Sequence, residues 1–330
     1  MRSLASLLVA GVALGALAGC SDDRAPDTTA AASQVARAAP TWRTLRSSTI
    51  ARTEVAAARI GDAVYVVGGF AAPDGATSAI VERYDLRLDR WTRVAPIPIA
   101  VNHAVAVTYR GVLHVLGGYT ARDGLAQETA ALQRYDPGSD RWTRPADAPT
   151  ARAAHAAGVI GGRMYAAGGA RAGRALTRLE IYDFARDRWS RGPSMRVARE
   201  HLAATAHRGS LYVLAGRTAG RGNFAVAERY VPVRRRWERV PSLRKPRGGI
   251  AAATVSGRIV VVGGEEGAGT IAEVESYDPR RRRWRFEPPL PTPRHGLGAV
   301  AFGSSIVVLV GGPFPGLTYS DRAEALRLRE

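Results

Sequence analysis

The feature that most constrains this chain is a period. Gly68-Gly69, Gly117-Gly118, Gly168-Gly169, Gly263-Gly264 and Gly311-Gly312 each close an apolar, β-rich run, and Ala215-Gly216 stands in once. Counted in residues, the steps between them are 49, 51, 47, 48 and 48. A unit of this length cannot bury its apolar face alone and must stack on copies of itself. Two aromatic markers hold the register. Tyr84, Tyr135, Tyr182, Tyr230 and Tyr277 each precede a tryptophan by seven residues: Trp91, Trp142, Trp189, Trp237 and Trp284. The next glycine pair follows each tryptophan at one fixed distance, longer by a single residue in the last case. Trp42 stands at that same distance before Gly68.

The two ends complete each other. After the last glycine pair, Glu324 and Leu326 occupy the Glu-x-Tyr positions held elsewhere by Glu82, Glu180, Glu228 and Glu275, with Gln133 substituting once. A tryptophan is due seven residues beyond Leu326, but the sequence ends at Glu330, and Trp42 supplies it. The N-terminal strand therefore completes the last unit and pairs an edge that would otherwise invite aggregation. Six four-stranded units closed into a ring follow.

From Thr41 to Glu330 the chain resembles the kelch family, with its glycine pairs, Tyr-Asp and Trp landmarks and Arg-x-x-His-like strand starts. The resemblance implies an all-β, six-bladed β-propeller over 41–330 with four-stranded blades. Ala215, Val231 in place of Asp and Leu326 in place of Tyr are departures that weaken single blades only. Small residues such as Ala104–Thr108 suit inner strands crowded on one axis, and the apolar run Ala63–Val67 suits a strand packed on both faces. The recurring glutamates read as architecture, because catalysis needs an asymmetric set.

The N-terminus has a different character. Arg2 is followed by an uncharged apolar run from Leu4 to Leu17 and then by Leu17-Ala18-Gly19-Cys20, a secretory signal pattern over residues 1–19. Its end resembles the lipobox of bacterial lipoproteins, which implies lipidation at Cys20 and stable membrane anchoring through several acyl chains. Ser21 after that cysteine is similar to outer-membrane sorting, at a periplasmic or cell-surface face. Residues 20–40, rich in Ala, Thr and Asp, read as a tether reaching about 25 Å root-mean-square. Cys20 is the only cysteine, so no disulfide framework exists.

Charge and loop length point to the ligand face. The formal net charge is +18, carried almost wholly by arginine, which favours anionic ligands; no nucleic-acid motif accompanies it. The stretch from glycine pair to Tyr position is the one that varies in length. It is longest between Gly117 and Tyr135 and shortest between Gly168 and Tyr182 and between Gly263 and Tyr277, so the loops there are where function is grafted. Arg52, Arg152, Arg199, Arg247 and Arg294 lie at the turns entering the inner strands on that face, with Val101 in the second blade. Two roles are open for them: a basic mouth converging on an anionic ligand, or pairing of each arginine with a glutamate or carbonyl of its own blade. Unrepeated polar residues on that face are the candidates for specificity: Asn102, His103, His155, His201, Glu265 and His295, together with Glu200, Asn223, Glu266, Asp74 and Asp123. Arg234–Arg236 and Arg280–Arg283 fall on the opposite face.

No catalytic set, metal-ligand spacing or cofactor motif is visible. Galactose oxidase shares the kelch propeller but needs a Cys–Tyr cofactor and copper, which Cys20 cannot supply. The expectation is an envelope-anchored, monomeric, cofactor-free binding module for a protein or acidic glycan. The alternative is a carbohydrate-active enzyme such as a sialic-acid epimerase-like mutarotase. In that family a Glu follows a middle-blade Gly and pairs with a nearby Arg; here Ala215-Gly216-Arg217 lacks the Glu, while Glu265 follows Gly264 one blade later.

Overall fold

In a computed structural model, residues 40–329 are described, and they are almost entirely β. Met1–Ala39, including the signal sequence, Cys20 and the tether up to residue 39, lie outside the described residues. Among the described residues the one helix is a 3-10 turn at Pro232–Arg234, and no helix is long and apolar enough to cross a membrane.

Six antiparallel sheets form the blades, each with a four-stranded path, to which blade 5 adds the short strand Gly269–Thr270. Blade 1 runs from an inner strand Ala56–Ile60 through Ala63–Val67 and Val81–Asp85 to an outer strand Arg90–Val94. Blades 2 to 5 repeat this with inner strands Val105–Tyr109, Ala156–Ile160, Ala203–His207 and Gly248–Val255. Blade 6 takes Gly298–Phe302, Ser305–Leu309 and Ala323–Arg327 from the end of the chain. Its outer strand, Trp42–Leu45, comes from the start, with Trp42 opposite Leu326. Tyr84, Tyr135, Tyr182, Tyr230 and Tyr277 face their tryptophans in the same register.

The repeated residues fill the gaps between blades. The second strands of blades 1 and 4 are buried at every position, because a neighbour packs on each face. Six apolar clusters are found among the described residues, each uniting two adjacent blades. Every tryptophan also donates its indole N–H to a backbone carbonyl of the preceding blade's exit, as Trp91 does to Arg46 at 2.8 Å and Trp42 to Pro288 at 3.0 Å. A buried indole needs such a partner.

Two backbone rings lock the centre. In each blade a pair of left-handed residues ends the second strand or, in blade 5, lies within it: φ is +61° and +86° at Gly68 and Gly69. The amide of the second member donates to the next blade, as Gly69 does to Val101 and Gly118 to Arg152. In blade 6 these conformations belong to Val310 and Gly311, at +51° and +107°, and the Gly311 amide bonds Arg52. The last pair is therefore Val310-Gly311, not Gly311-Gly312. With this register Trp284 stands as far before its pair as every other tryptophan stands before its own.

The second ring surrounds the axis. Glu54, His103, Ala154, His201, Gly249 and Gly296 all have φ between +49° and +69°. Each of the first five offers its carbonyl to the amide of the next, and the Gly296 carbonyl closes the circle on Val55 at 3.2 Å. The fold thus fixes, at one end of the central channel, six side-chain positions related by the blade repeat.

Candidate functional site

The five arginines take the second of the two roles open to them, which corrects the picture of a basic mouth. Their side chains are 0–1% exposed, and each meets the glutamate of its own blade. Arg52 reaches Glu82 at 2.6 Å, Arg199 reaches Glu228 at 2.9 Å, Arg247 reaches Glu275 at 2.8 Å and Arg294 reaches Glu324 at 2.6 Å; Arg152 pairs with Glu180. Each also donates to the carbonyl 16 residues on: Gly68, Gly168, Ala215, Gly263 and Val310. The guanidinium staples the left-handed turn to the third strand and is shut off from solvent.

The unrepeated residues do converge. Glu54, His103 and His201 of the axial ring meet there, and His295, Glu200, Glu265 and Arg217 surround them. His103 Nε2 stands 3.0 Å from His201 Nε2 and 3.2 Å from Glu54 Oε2. His295 contacts Glu54 Oε1 through Nδ1 and the Phe314 carbonyl through Nε2, both at 3.0 Å. Arg217 links Glu200 at 3.2 Å to Glu265 at 2.6 Å. His155 lines the same central cavity of about 70 Å³, and neither of its ring nitrogens is hydrogen-bonded.

Burial and charge set the protonation of this cluster. Burial pushes His103 down to about 4, with Glu54 opposing and His201 reinforcing the shift. Burial would raise Glu54, but His103, the hydrogen bond from His295 and the other imidazoles hold it well below the usual carboxylate range. Burial likewise opposes, and the Glu54 bond overcomes it in raising, the pKa of His295. Since a carboxylate and a carbonyl only accept, both His295 ring nitrogens must donate, as in an imidazolium.

Around this mouth the unequal loops form one face of the propeller. A groove of about 510 Å³ is lined by Arg217, Asn223, Pro246, Glu265, Glu266 and Pro315. Leu125, Phe314 and Leu317 are exposed on loops of the same face. Asp74 forms an exposed ion pair with Arg122 at 3.0 Å, and Asp123 is exposed nearby. Glu54 was not among the candidates expected from sequence; its signal is its place two residues after Arg52, where His103 and His201 stand in their own blades.

Fold and site define a class: a six-bladed propeller with structural in-blade ion pairs and an asymmetric polar mouth. The profile of the KLHDC2/KLHL20/DRC7 Kelch-repeats domain matches residues 54–241, and that of the Kelch motif matches residues 246–291. The chain belongs to the kelch-repeat family. It is 36% identical over 139 residues to Kelch-like protein terF of Aspergillus terreus, covering 39% of this chain and 30% of that protein. With human Kelch-like protein 34 it shares 35% identity over 147 residues, 43% of this chain and 23% of the relative. The chain thus aligns with about a quarter to a third of these relatives' length. A solved structure titled "Structure of YjhT" superposes with a TM-score of 0.74 at 15% identity, covering 84% of this chain and 95% of the other, a likeness of fold. Kelch domains generally mediate protein binding.

Proposed function

We propose that this chain is a non-catalytic binding module, held at a bacterial envelope by an acylated Cys20, whose loop face docks a protein ligand. The observation that carries the reading is the loop face itself. Loops of unequal length, fixed on a rigid ring, present Phe314 and Leu317 on either side of Pro315 in the lining of a groove, and Leu125 on the blade 2 loop. Exposed large apolar side chains beside a groove of mixed charged and apolar lining suit a protein partner better than an acidic glycan. The acidic-glycan version drew on the five arginines, whose charge is spent within the blades. Photo-crosslinkers placed in cells at Leu125 and Phe314 should capture one discrete partner, whereas crosslinkers at the turn-face positions Leu88 and Val233 should not. Equal capture from both faces contradicts the reading. Cys20→Ser should release the chain from the membrane fraction; an unchanged distribution contradicts the anchor.

One observation favours the carbohydrate-active alternative. Glu265, which follows Gly264, is ion-paired with Arg217 of the neighbouring blade at 2.6 Å, the carboxylate–arginine pairing which that reading requires, displaced by one blade. Its test is anomer exchange of free sialic acid followed by NMR. Acceleration by the chain that is lost in Glu265→Gln would replace the binding reading; a rate equal to buffer retires the alternative.

A further inference from the structure

We propose that Glu54, His103 and His201 form a binding site for a single divalent transition-metal ion at the end of the propeller axis. The inference goes beyond the binding-module reading and does not depend on it.

Hydrogen bonds fix the tautomers. The Thr77 hydroxyl donates to the Ala121 carbonyl at 2.6 Å, so its oxygen accepts from the Asn102 amide at 2.8 Å. Asn102 Oδ1 therefore faces His103 Nδ1, 2.6 Å away, and that nitrogen carries the proton. The carboxylate of Glu200 can only accept, so His201 Nδ1, bonded to it, carries one too. In these neutral tautomers both Nε2 atoms present lone pairs, 3.0 Å apart and beside the Glu54 carboxylate. Nothing in the protein separates them.

A metal ion resolves this contact. Ligand atoms about 2.1 Å from an ion stand about 3.0 Å apart at right angles around it and about 3.4 Å apart in a tetrahedral shell. The two measured edges are 3.0 and 3.2 Å, and the three ligand atoms all lie within 4.8 Å of one another. Two imidazoles and one carboxylate suit a first-row divalent ion such as Zn²⁺. The outer contacts are those that metal-bound histidines need: Asn102 behind one ring, Glu200 behind the other, and His295 on the second oxygen of Glu54. The three ligands line a cavity of about 70 Å³, room for one or two waters completing the coordination shell.

The test uses the purified, untagged full chain, stripped with a chelator and titrated with Zn²⁺ against a chromophoric competitor. One equivalent should bind with submicromolar affinity. His103→Asn with His201→Asn should weaken it at least about 100-fold, and Glu200→Gln, which removes only support behind a ligand, about 10-fold. Asparagine tolerates the left-handed backbone of both histidine positions. X-ray absorption of the Zn²⁺-loaded wild type reads the ligands without any variant and should show two imidazoles and oxygen. Absence of stoichiometric Zn²⁺ binding, affinity unchanged in the double variant, or a sulfur-containing shell overturns the proposal.

Discussion

Blade 2 and the other five blades hold the segment entering the inner strand in place with different chemistry. Five blades bury an arginine–glutamate pair beneath the left-handed turn. Blade 2 has Val101 where the arginine belongs and Gln133 where the glutamate belongs. The neutral Gln133 side chain bridges the amide and carbonyl of Ile99 at 2.8 and 3.1 Å. Cation and anion are lost together because either one alone would be a buried, uncompensated charge. The comparison shows that these charges answer to each other and not to a ligand. The axial mouth differs: its charges come from different blades and match no repeat.

The sharpest way to break this comparison is to convert blade 3 to the chemistry of blade 2. Arg152→Val alone should cost about 3–5 kcal/mol by stranding Glu180. Adding Glu180→Gln should restore most of that, so denaturant melts of the two singles and the double give a large favourable coupling. Additive losses would mean that the pair is not the unit. Next in size is Gly169→Ala. Its φ is +97° and a Cβ would lie 2.7 Å from both the Ala153 carbonyl oxygen and His155 Cβ. A loss of about 2 kcal/mol or more is expected in the same melts, from strain that no charge swap relieves.

A pH series examines another peculiarity of blade 2. His114 stands where blades 1, 3 and 4 carry Tyr65, Tyr165 and Tyr212, and burial lowers its pKa to about 4. The unfolded chain, with an ordinary histidine near 6.5, binds the proton first as pH falls. Stability is therefore full above about 6.5 and declines toward pH 4, by at most about 3 kcal/mol from this group. His114→Tyr, restoring the repeat's residue, should flatten that limb; an identical pH profile would show that another group drives it. The smallest stability effect is expected at the mouth. Arg217→Ala strands Glu200 and Glu265, but the Arg217 side chain is itself 29% exposed, so the melt should shift by about 1–2 kcal/mol, less than for the fully buried Arg152.

Much of the architecture was legible because repetition reports on packing. Blade number, the Tyr–Trp register and closure by Trp42 all follow from spacings that a ring imposes on every blade. The slip at Val310 was legible too: counted from Gly311, both Trp284 and Arg294 are one residue out of step, and moving the pair back by one repairs both. The joint departure of Val101 and Gln133 likewise carried the answer for the arginines. The mouth was harder to read. His103, His201 and His295 stood out as unrepeated, but Glu54 lies one whole blade before His103 and three before His201, so no local motif joins them. Only the axial backbone ring, built from six left-handed residues of six blades, brings them to one point.

The central claim is that repeated charge is structural and unrepeated charge is functional. It is tested most directly by comparing partner crosslinking from Phe314 in two full-length variants. Arg152→Val with Glu180→Gln should leave the yield at the wild-type level, while Arg217→Ala with Glu265→Gln should abolish it. Loss of the partner in the first and its retention in the second would contradict the claim.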